Sequence, residues 1–242
     1  MVAKQEFMAA GRVVALWRYP VKSMAGESLA AADVSWHGIA GDRRWAFVRS
    51  DAPRPGFPWL TLRECGEMSQ YRPSFSAPDV PDRSPTLVRT PSGAELDIAN
   101  PELAKELHPQ ATVIKHDGGI FDTFPISLIS TQTIAGLGEM VGAELDVRRF
   151  RPNIVVEAAA ETAFVEDDWV GRELRLGGLR MRIDKRDGRC VVINIDPRST
   201  RRNAAVLRAV TRNREGYLGV YGSTVQPGRV TVGDTILVGP PG

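Results

Sequence analysis

The stretch that decides the fold class is residues 174–183, Leu-Arg-Leu-Gly-Gly-Leu-Arg-Met-Arg-Ile. Apolar and basic residues alternate on both sides of the Gly177-Gly178 pair, and this period of two places every second side chain on the same face of a strand. Two adjacent glycines suit the positive φ angles of a two-residue hairpin turn. The stretch therefore predicts a β-hairpin with one apolar face.

Short apolar runs fill the rest of the chain, which contains 23 glycines and 17 prolines. They predict strands at residues 13–18, 28–34, 44–49, 86–89, 94–98, 126–130, 154–156, 191–195, 218–221, 229–232 and 235–238. Capping residues such as Asn100 and Thr131 help to predict helices at residues 61–69, 101–107, 131–140 and 203–212. This pattern favours a mainly β fold, a barrel or a sandwich, over a doubly wound parallel sheet. We expect a domain boundary near residues 100–110, which divides the chain into two parts, 1–100 and 101–242.

The chain has 242 residues, 43% hydrophobic and 25% charged, and 31 Lys and Arg nearly balance 29 Asp and Glu. This composition is typical of a globular protein and excludes a disordered or collagen-like chain. We find no signal-peptide core and no apolar run long enough for a transmembrane helix, so we expect no membrane span and a cytoplasmic location. Basic residues are spread along the chain, so no nucleic-acid partner is expected. The densest group is interpreted as part of a solvated helix and the loop that leads into it: Arg198, Arg201, Arg202, Arg208, Arg212 and Arg214.

The common catalytic motifs are absent from the sequence. No Walker-type phosphate loop, no Gly-x-Ser-x-Gly elbow and no His-Glu-x-x-His motif occurs, so NTPase, serine hydrolase and zinc protease functions have no support. Gly136, Gly138 and Gly142 miss the spacing of a dinucleotide fingerprint by one residue. The three histidines are far apart in polar segments and are interpreted as surface residues: His37, His108 and His116.

Hydrogen-bond donors recur at turns and strand ends in four segments, namely 19–23, 41–45, 150–153 and 188–190. Lys22, Arg43 and Arg151 offer cationic donors, and Ser23 and Asn153 add neutral hydrogen bonds. This combination suits a ligand with a phosphate and a polar heterocycle. Each segment alone is weak support, because an arginine beside a strand usually faces water.

The order and content of these segments resemble the MOSC family, named for the C-terminal domain of molybdenum cofactor sulfurase, in its branch with an N-terminal β-barrel-like part. The resemblance covers nearly the whole chain and implies an N-terminal β-barrel-like domain over residues 1–100 and a MOSC-type β-barrel domain over residues 101–242. It rests on residues 16–23, 41–45, 124–127, 149–156, 164–169, 189–190, 196–197 and 219–222.

The resemblance implies a pterin-based molybdenum cofactor with a cysteine thiolate bound to the metal. The matching residue is Cys190, and a soft thiolate suits a molybdenum centre that already carries sulfur ligands. The adjacent cation, Arg189, is expected to favour the thiolate. Considered without the resemblance, Cys190 also fits a small buried hydrophobic residue, because Val191, Val192 and Ile193 follow it.

The same resemblance carries over to individual cofactor-binding positions. Arg63, in a Thr-x-Arg segment, is a candidate cavity residue, and Cys65 matches no ligand position and is interpreted as structural. The expected cofactor-binding residues are Lys22, Ser23, Arg43, Asp122, Thr123, Phe124, Arg151, Asn153 and Arg189.

The family branch implies a reductase of N-hydroxylated compounds such as amidoximes and hydroxylamines, with a small-molecule substrate. Two cysteines far apart in sequence cannot hold an iron–sulfur cluster, so electrons are expected from an external donor protein. An alternative is a sulfur carrier or cofactor-handling protein in which Cys190 holds a persulfide or a transient ligand. A third class is a binding module without a metal. It requires the five donor residues to lie at the surface by chance, with no ligand to bind: Lys22, Ser23, Arg43, Arg151 and Asn153.

Overall fold

The computed structural model describes residues 6–52 and 57–240. Strands dominate this part of the chain, as the sequence predicts. Three α-helices lie in it, α1 Pro101–Leu107, α2 Thr131–Val141 and α3 Ala204–Arg214. The strands are β1 Met8–Arg18, β2 Glu27–Leu29, β3 Ala31–Ser35, β4 Gly38–Ile39, β5 Trp45–Arg49, β6 Arg72–Phe75, β7 Thr86–Arg89, β8 Glu95–Asp97, β9 Ala111–Lys115, β10 Ile126–Ser130, β11 Ile154–Ala158, β12 Glu173–Leu176, β13 Leu179–Gly188, β14 Tyr217–Gln226, β15 Gly228–Thr231 and β16 Thr235–Val238.

Seven strands close into a β-barrel in the order β11-β10-β14-β13-β12-β16-β1, and β1 pairs back onto β11. The pairs are antiparallel except β10–β11, which are parallel and are joined by a crossover that contains α2. The barrel encloses a cluster of buried apolar residues that includes Leu16, Leu128, Ile154, Met181 and Ile236. The predicted mainly β fold with a closed barrel is therefore confirmed.

Strand β1 lies in the first half of the sequence but closes a barrel whose other strands lie after residue 125. Its pairing with β16 shifts register between Ala9 and Gly11, and from Gly11 onward the strand also pairs with β11. Gly11 has a φ of 152°, and a Cβ there would lie 2.2 Å from the carbonyl oxygen of Glu157. Only glycine fits this approach. The domain boundary at residue 100 stays a prediction.

The remaining sheets lie beside the barrel. They have the orders β15-β3-β4, β5-β9 and β6-β7-β8. Much of the first hundred residues packs around a second apolar cluster that includes Phe47, Met68, Val88 and Leu103. No helix within the described ranges has the length and apolarity needed to cross a membrane.

The local predictions are confirmed where the signal is strong. The 174–183 hairpin forms, with Leu176 paired to Leu179 across the glycine turn. Helix α1 has the predicted bounds, and the side chain of Asn100 accepts a hydrogen bond from the backbone N–H of Glu102. Helix α2 also forms, but its N-cap is Ser130 rather than Thr131.

Two predicted elements are wrong. Residues 61–69 form a turn followed by a short 3-10 helix, Gly66–Gln70. Residues 191–195 do not continue the sheet, because Val191–Asn194 is a 3-10 helix that follows Cys190 directly. The second difference bears on the site, since it turns the chain away from β13 at this cysteine.

Candidate functional site

A cavity lies where the ends of barrel strands meet loops from the first half of the chain. We name it the Cys190 cavity. Of the ten predicted site residues, Thr123 does not line it, and the other nine do: Lys22, Ser23, Arg43, Asp122, Phe124, Arg151, Asn153, Arg189 and Cys190. The structure therefore brings together residues that are distant in sequence.

Three of these lining residues have a left-handed backbone. Ser23, Arg43 and Arg151 have φ angles of 69°, 50° and 53°. Such angles are uncommon for residues other than glycine, and they persist where the surrounding structure fixes them, often at functional sites. The backbone thus holds these side chains at the cavity at some cost in free energy.

Asp42 is a fully buried carboxylate that organises one wall of the cavity. It accepts hydrogen bonds from the backbone N–H of Tyr19 at 2.7 Å, from Nδ2 of Asn153 at 3.0 Å and from the guanidinium of Arg43. Oδ1 of Asn153 in turn lies 3.3 Å from Nη1 of Arg43. The amide of Asn153 is therefore occupied by protein groups, and it orients Arg43.

Lys22 is nearly buried and forms an ion pair with Asp122, whose side chain is half exposed. Its ammonium donates to the carboxylate of Asp122 and, at 3.3 Å, to the carbonyl oxygen of Ile120. Burial lowers the pKa of Lys22, although Asp122 opposes this effect. Burial opposes ionisation of Asp122, but the Lys22 ammonium holds the pKa of that carboxyl below its usual value.

Arg151 lines the cavity and leaves part of its guanidinium free of protein contacts among the described residues. Nη1 donates to the carbonyl oxygen of Met24 at 2.6 Å, and Nη2 is buried without a hydrogen-bond partner within residues 6–52 and 57–240. The guanidinium lies 4.3 Å from the ring centroid of Tyr19. Burial lowers the pKa of Arg151 to about 10, so the group still carries its charge at neutral pH.

Cys190 lies just after β13 and is the N-cap residue of the 3-10 helix. Nη2 of Arg63 lies 3.5 Å from its sulfur. The predicted cation Arg189 instead donates to the carbonyl oxygens of Leu218 and Phe150, both at 2.8 Å. The cation in contact with the sulfur is therefore Arg63, from a segment that sequence reasoning left undecided.

Sequence reasoning missed two charged residues of this cavity. Asp187 is buried, accepts from Oγ of Ser127 at 3.1 Å, pairs with Arg189 at 2.9 Å and leaves Oδ1 without a hydrogen-bond partner in the described part of the chain. Burial raises its pKa, although Arg189 opposes this effect. Arg149 donates to the carbonyl oxygens of Ile193 and Asn194 and so holds the 3-10 helix after Cys190. Each residue immediately precedes a predicted segment, 150–153 or 188–190, and this position in the sequence could have indicated them.

The donor set fits a pterin cofactor with a metal. Among the described residues, two buried polar atoms of lining residues lack a hydrogen-bond partner, namely Nη2 of Arg151 and Oδ1 of Asp187, while Nη2 of Arg189 lies 2.9 Å from Oδ2 of Asp187. A buried group without a partner is costly, and a heterocycle with both donors and acceptors would satisfy both. The sulfur of Cys190 supplies the soft ligand that a molybdenum centre accepts.

Family models match both parts of the chain. A model described as the MOSC domain matches residues 115–237, and a model described as the MOSC N-terminal beta barrel domain matches residues 10–118. The two matches together span the barrel strands and the loops that line the cavity.

Three curated proteins are similar to the chain. Mitochondrial amidoxime reducing component 2 of Bos taurus is 24% identical over 80% of this chain and 69% of its own length. Mitochondrial amidoxime-reducing component 1 of Xenopus laevis is 29% identical over 59% of this chain and 44% of its own length. Molybdenum cofactor sulfurase of Danio rerio is 34% identical over 31% of this chain and 9% of its own length.

One solved structure shares the whole fold. The crystal structure of the YUAD protein from Bacillus subtilis aligns with a TM-score of 0.54 at 14% sequence identity, over 97% of this chain and 98% of that one. At this identity the likeness supports the fold alone.

Proposed function

Because the chain belongs to the MOSC domain family, we propose that it binds a molybdenum–pterin cofactor in the Cys190 cavity and reduces N-hydroxylated compounds. One observation carries the proposal, namely a cavity that combines a free thiol at Cys190 with a buried donor of Arg151 and a buried acceptor of Asp187 that have no hydrogen-bond partner among the described residues. Curated relatives named for amidoxime reduction support the reaction class.

The residues of the cavity hold and orient the cofactor in this proposal. Lys22, Ser23 and Arg43 bind its phosphate side, Arg151 and Arg189 bind the pterin, and Cys190 binds the metal. Asn153 and Asp42 keep Arg43 in place. Phe124 is a further cofactor contact, and the expected roles of Asp122 and Thr123 remain predictions.

When bound, the cofactor supplies the two electrons of the reaction, since no side chain in the cavity does so. The N–O bond of the substrate breaks, two protons are taken up, and water leaves together with the reduced nitrogen compound. The protein excludes bulk water and places the substrate beside Cys190. An external electron-donor protein is part of the proposal, and the cytoplasmic location and the lack of a nucleic-acid partner stay predictions.

The test compares cysteine variants of the protein expressed in a host that makes the cofactor. We expect near-stoichiometric molybdenum and pterin in the parent chain and in Cys65→Ser, and a large loss of molybdenum in Cys190→Ser. The change is nearly isosteric, so the thermal unfolding midpoint should stay close to that of the parent. Full molybdenum content in folded Cys190→Ser would refute ligation by Cys190.

The activity arm uses benzamidoxime and a chemical or protein reductant. We expect reduction to benzamidine by the loaded parent and by Cys65→Ser, but not by Cys190→Ser. A parent that holds the cofactor without reducing any N-hydroxylated compound would contradict the reductase. Transfer of sulfur from a persulfide on Cys190 would then support the alternative, to which the short match with molybdenum cofactor sulfurase also points.

A further inference from the structure

A second cavity of about 610 Å³ lies beside the Cys190 cavity. We name it the Tyr19 cavity, because Tyr19 lines it and does not line the first one. Leu62, Arg149, Arg151 and Val192 line both cavities, so the two adjoin each other. The volume falls within the range of sites for small organic molecules.

The charge of the Tyr19 cavity is strongly positive. Its only lining acid within the described ranges is Glu27, which is paired with Arg18 at 2.8 Å. Three lining arginines are also paired, Arg148 and Arg198 with Asp146, and Arg149 with Asp196. Two lining arginines form no ion pair within residues 6–52 and 57–240, and these can meet an anion: Arg72 and Arg151.

Tyr19 adds an unsatisfied donor to this wall. Its side chain is 1% exposed, and Oη has no hydrogen-bond partner among the described residues. Burial raises the pKa of the phenol, so it keeps its proton and can donate. Gly26 makes room for the ring, since a Cβ there would lie 2.5 Å from it. A buried hydroxyl with no protein partner points to a ligand that accepts its proton.

Apolar side chains form another part of the lining, beside the polar residues Ser69 and Gln70. Leu62, Val192, Ile195 and Pro197 contribute to the wall, and Leu62 and Val192 extend it to the Cys190 cavity. Val192 lies two positions after Cys190 in the 3-10 helix. An apolar body placed along this wall would therefore reach from the free arginines toward the predicted metal position.

We propose that the Tyr19 cavity binds the carboxylate of a small organic acid, whose apolar body extends toward Cys190. The carboxylate accepts hydrogen bonds from Oη of Tyr19 and from the guanidinium of Arg72, while Arg151, which lines both cavities, binds the pterin. Resting on the proposed reductase function, this assigns a substrate class: N-hydroxylated compounds that also carry an acidic group.

The binding test needs no turnover. Calorimetric titration of the parent chain with benzoate is compared with titration by neutral benzamide, which has the same ring and no charge. We expect benzoate to bind and benzamide to bind at least about tenfold more weakly, since a charge-assisted hydrogen bond is worth roughly tenfold or more in affinity. Equal binding of the two compounds would overturn the proposal.

Two variants locate the binding within the chain. Tyr19→Phe and Arg72→Ala should each weaken benzoate binding about tenfold. Arg89→Ala is the matched control, because Arg89 pairs with Arg72 across the β6–β7 ladder and does not line the cavity. Tyr19→Phe should not lower the unfolding temperature of the ligand-free protein, since the hydroxyl it removes has no partner. Benzoate affinity that is unchanged in both variants would contradict the site.

The substrate class is tested with the loaded protein and two substrates, benzamidoxime and its derivative with a carboxylate in the para position. The acidic derivative should have the lower KM, and Arg72→Ala should remove about tenfold of this preference while Arg89→Ala keeps it. If neither compound is reduced, the reductase function fails while the benzoate titration still decides the site. If both are reduced with the same KM, the substrate class is wrong and the reductase function stands.

Discussion

The two cysteines of the chain are both half-buried and free, yet their surroundings differ in charge. The sulfur of Cys65 lies 3.8 Å from a carboxylate oxygen of Glu67 and packs beside the apolar cluster of the first hundred residues. The sulfur of Cys190 lies 3.5 Å from the guanidinium of Arg63 and lines a cavity with several cations. Exposure alone does not separate the two residues, but the sign of the neighbouring charge does.

This difference teaches which thiol is suited to bind a ligand. Burial raises the pKa of Cys65, and the Glu67 carboxylate raises it further, so Cys65 is held as the neutral thiol. A metal ligand must be a thiolate, and an anionic cofactor requires cations around it. Both conditions favour Cys190 as the ligand and a structural role for Cys65.

The largest expected effect comes from removing a cation from the lining of the Cys190 cavity. Arg151→Ala deletes a buried guanidinium with a free Nη2, and hydrogen bonds from charged groups are worth about 1.5–3 kcal/mol. We expect cofactor retention to weaken at least about tenfold. Pterin and molybdenum are measured after gel filtration of the parent and the variant.

Arg89→Ala is the control for this experiment, because it removes an exposed arginine far from the cavity lining. It should retain the parent's cofactor content. Circular dichroism checks that both variants remain folded. If folded Arg151→Ala holds as much cofactor as the parent, the cations around Cys190 do not contribute to cofactor binding, and the proposed difference between Cys190 and Cys65 is contradicted.

The structure also shows why the sequence predicts some of these features and not others. The 174–183 hairpin and helix α1 are local, since alternation, a glycine turn and an Asn cap lie within a few residues. The order of the predicted cofactor positions is likewise readable along the chain. Their meeting in one cavity depends on how β1 closes the barrel, which no local pattern encodes.

The surroundings of Cys190 show what the sequence alone could not predict. Residues 191–195 are apolar and fit a strand, but Arg149 binds the carbonyl oxygens of Ile193 and Asn194, and the segment forms a 3-10 helix. Sequence adjacency favoured Arg189 as the cation beside the sulfur, whereas the fold brings Arg63 there. Both differences arise from contacts between segments that are remote in sequence.

A chemical test of the comparison uses reagents of opposite character on cofactor-free protein. Iodoacetate is an anion and iodoacetamide is neutral, and both alkylate thiols. The cations around Cys190 should attract iodoacetate, while Glu67 should repel it from Cys65. We expect the ratio of the iodoacetate rate to the iodoacetamide rate to be about tenfold higher at Cys190.

Cys65→Ser and Cys190→Ser isolate the two thiols for this measurement by mass spectrometry. Arg63→Gln in the Cys65→Ser background should lower the rate ratio at Cys190, because it removes the nearest cation. High salt should reduce the difference between the two sites, since it screens the charges. The same rate ratio at both thiols at low salt would contradict the electrostatic distinction.

The smallest expected effect concerns Glu67 and the pH dependence of Cys65. Glu67→Gln in the Cys190→Ser background removes a negative charge beside the thiol, so the pKa of Cys65 falls and the pH profile of alkylation shifts to lower pH. Burial remains the larger cause, so the rate at pH 8 should rise only about two- to threefold. Iodoacetamide is the reagent, because a neutral molecule is neither attracted nor repelled by the charges around the thiol. Glu95→Gln, an exposed change on β8, should leave the profile in place, and an unshifted profile in Glu67→Gln would show that burial alone holds Cys65 as a thiol.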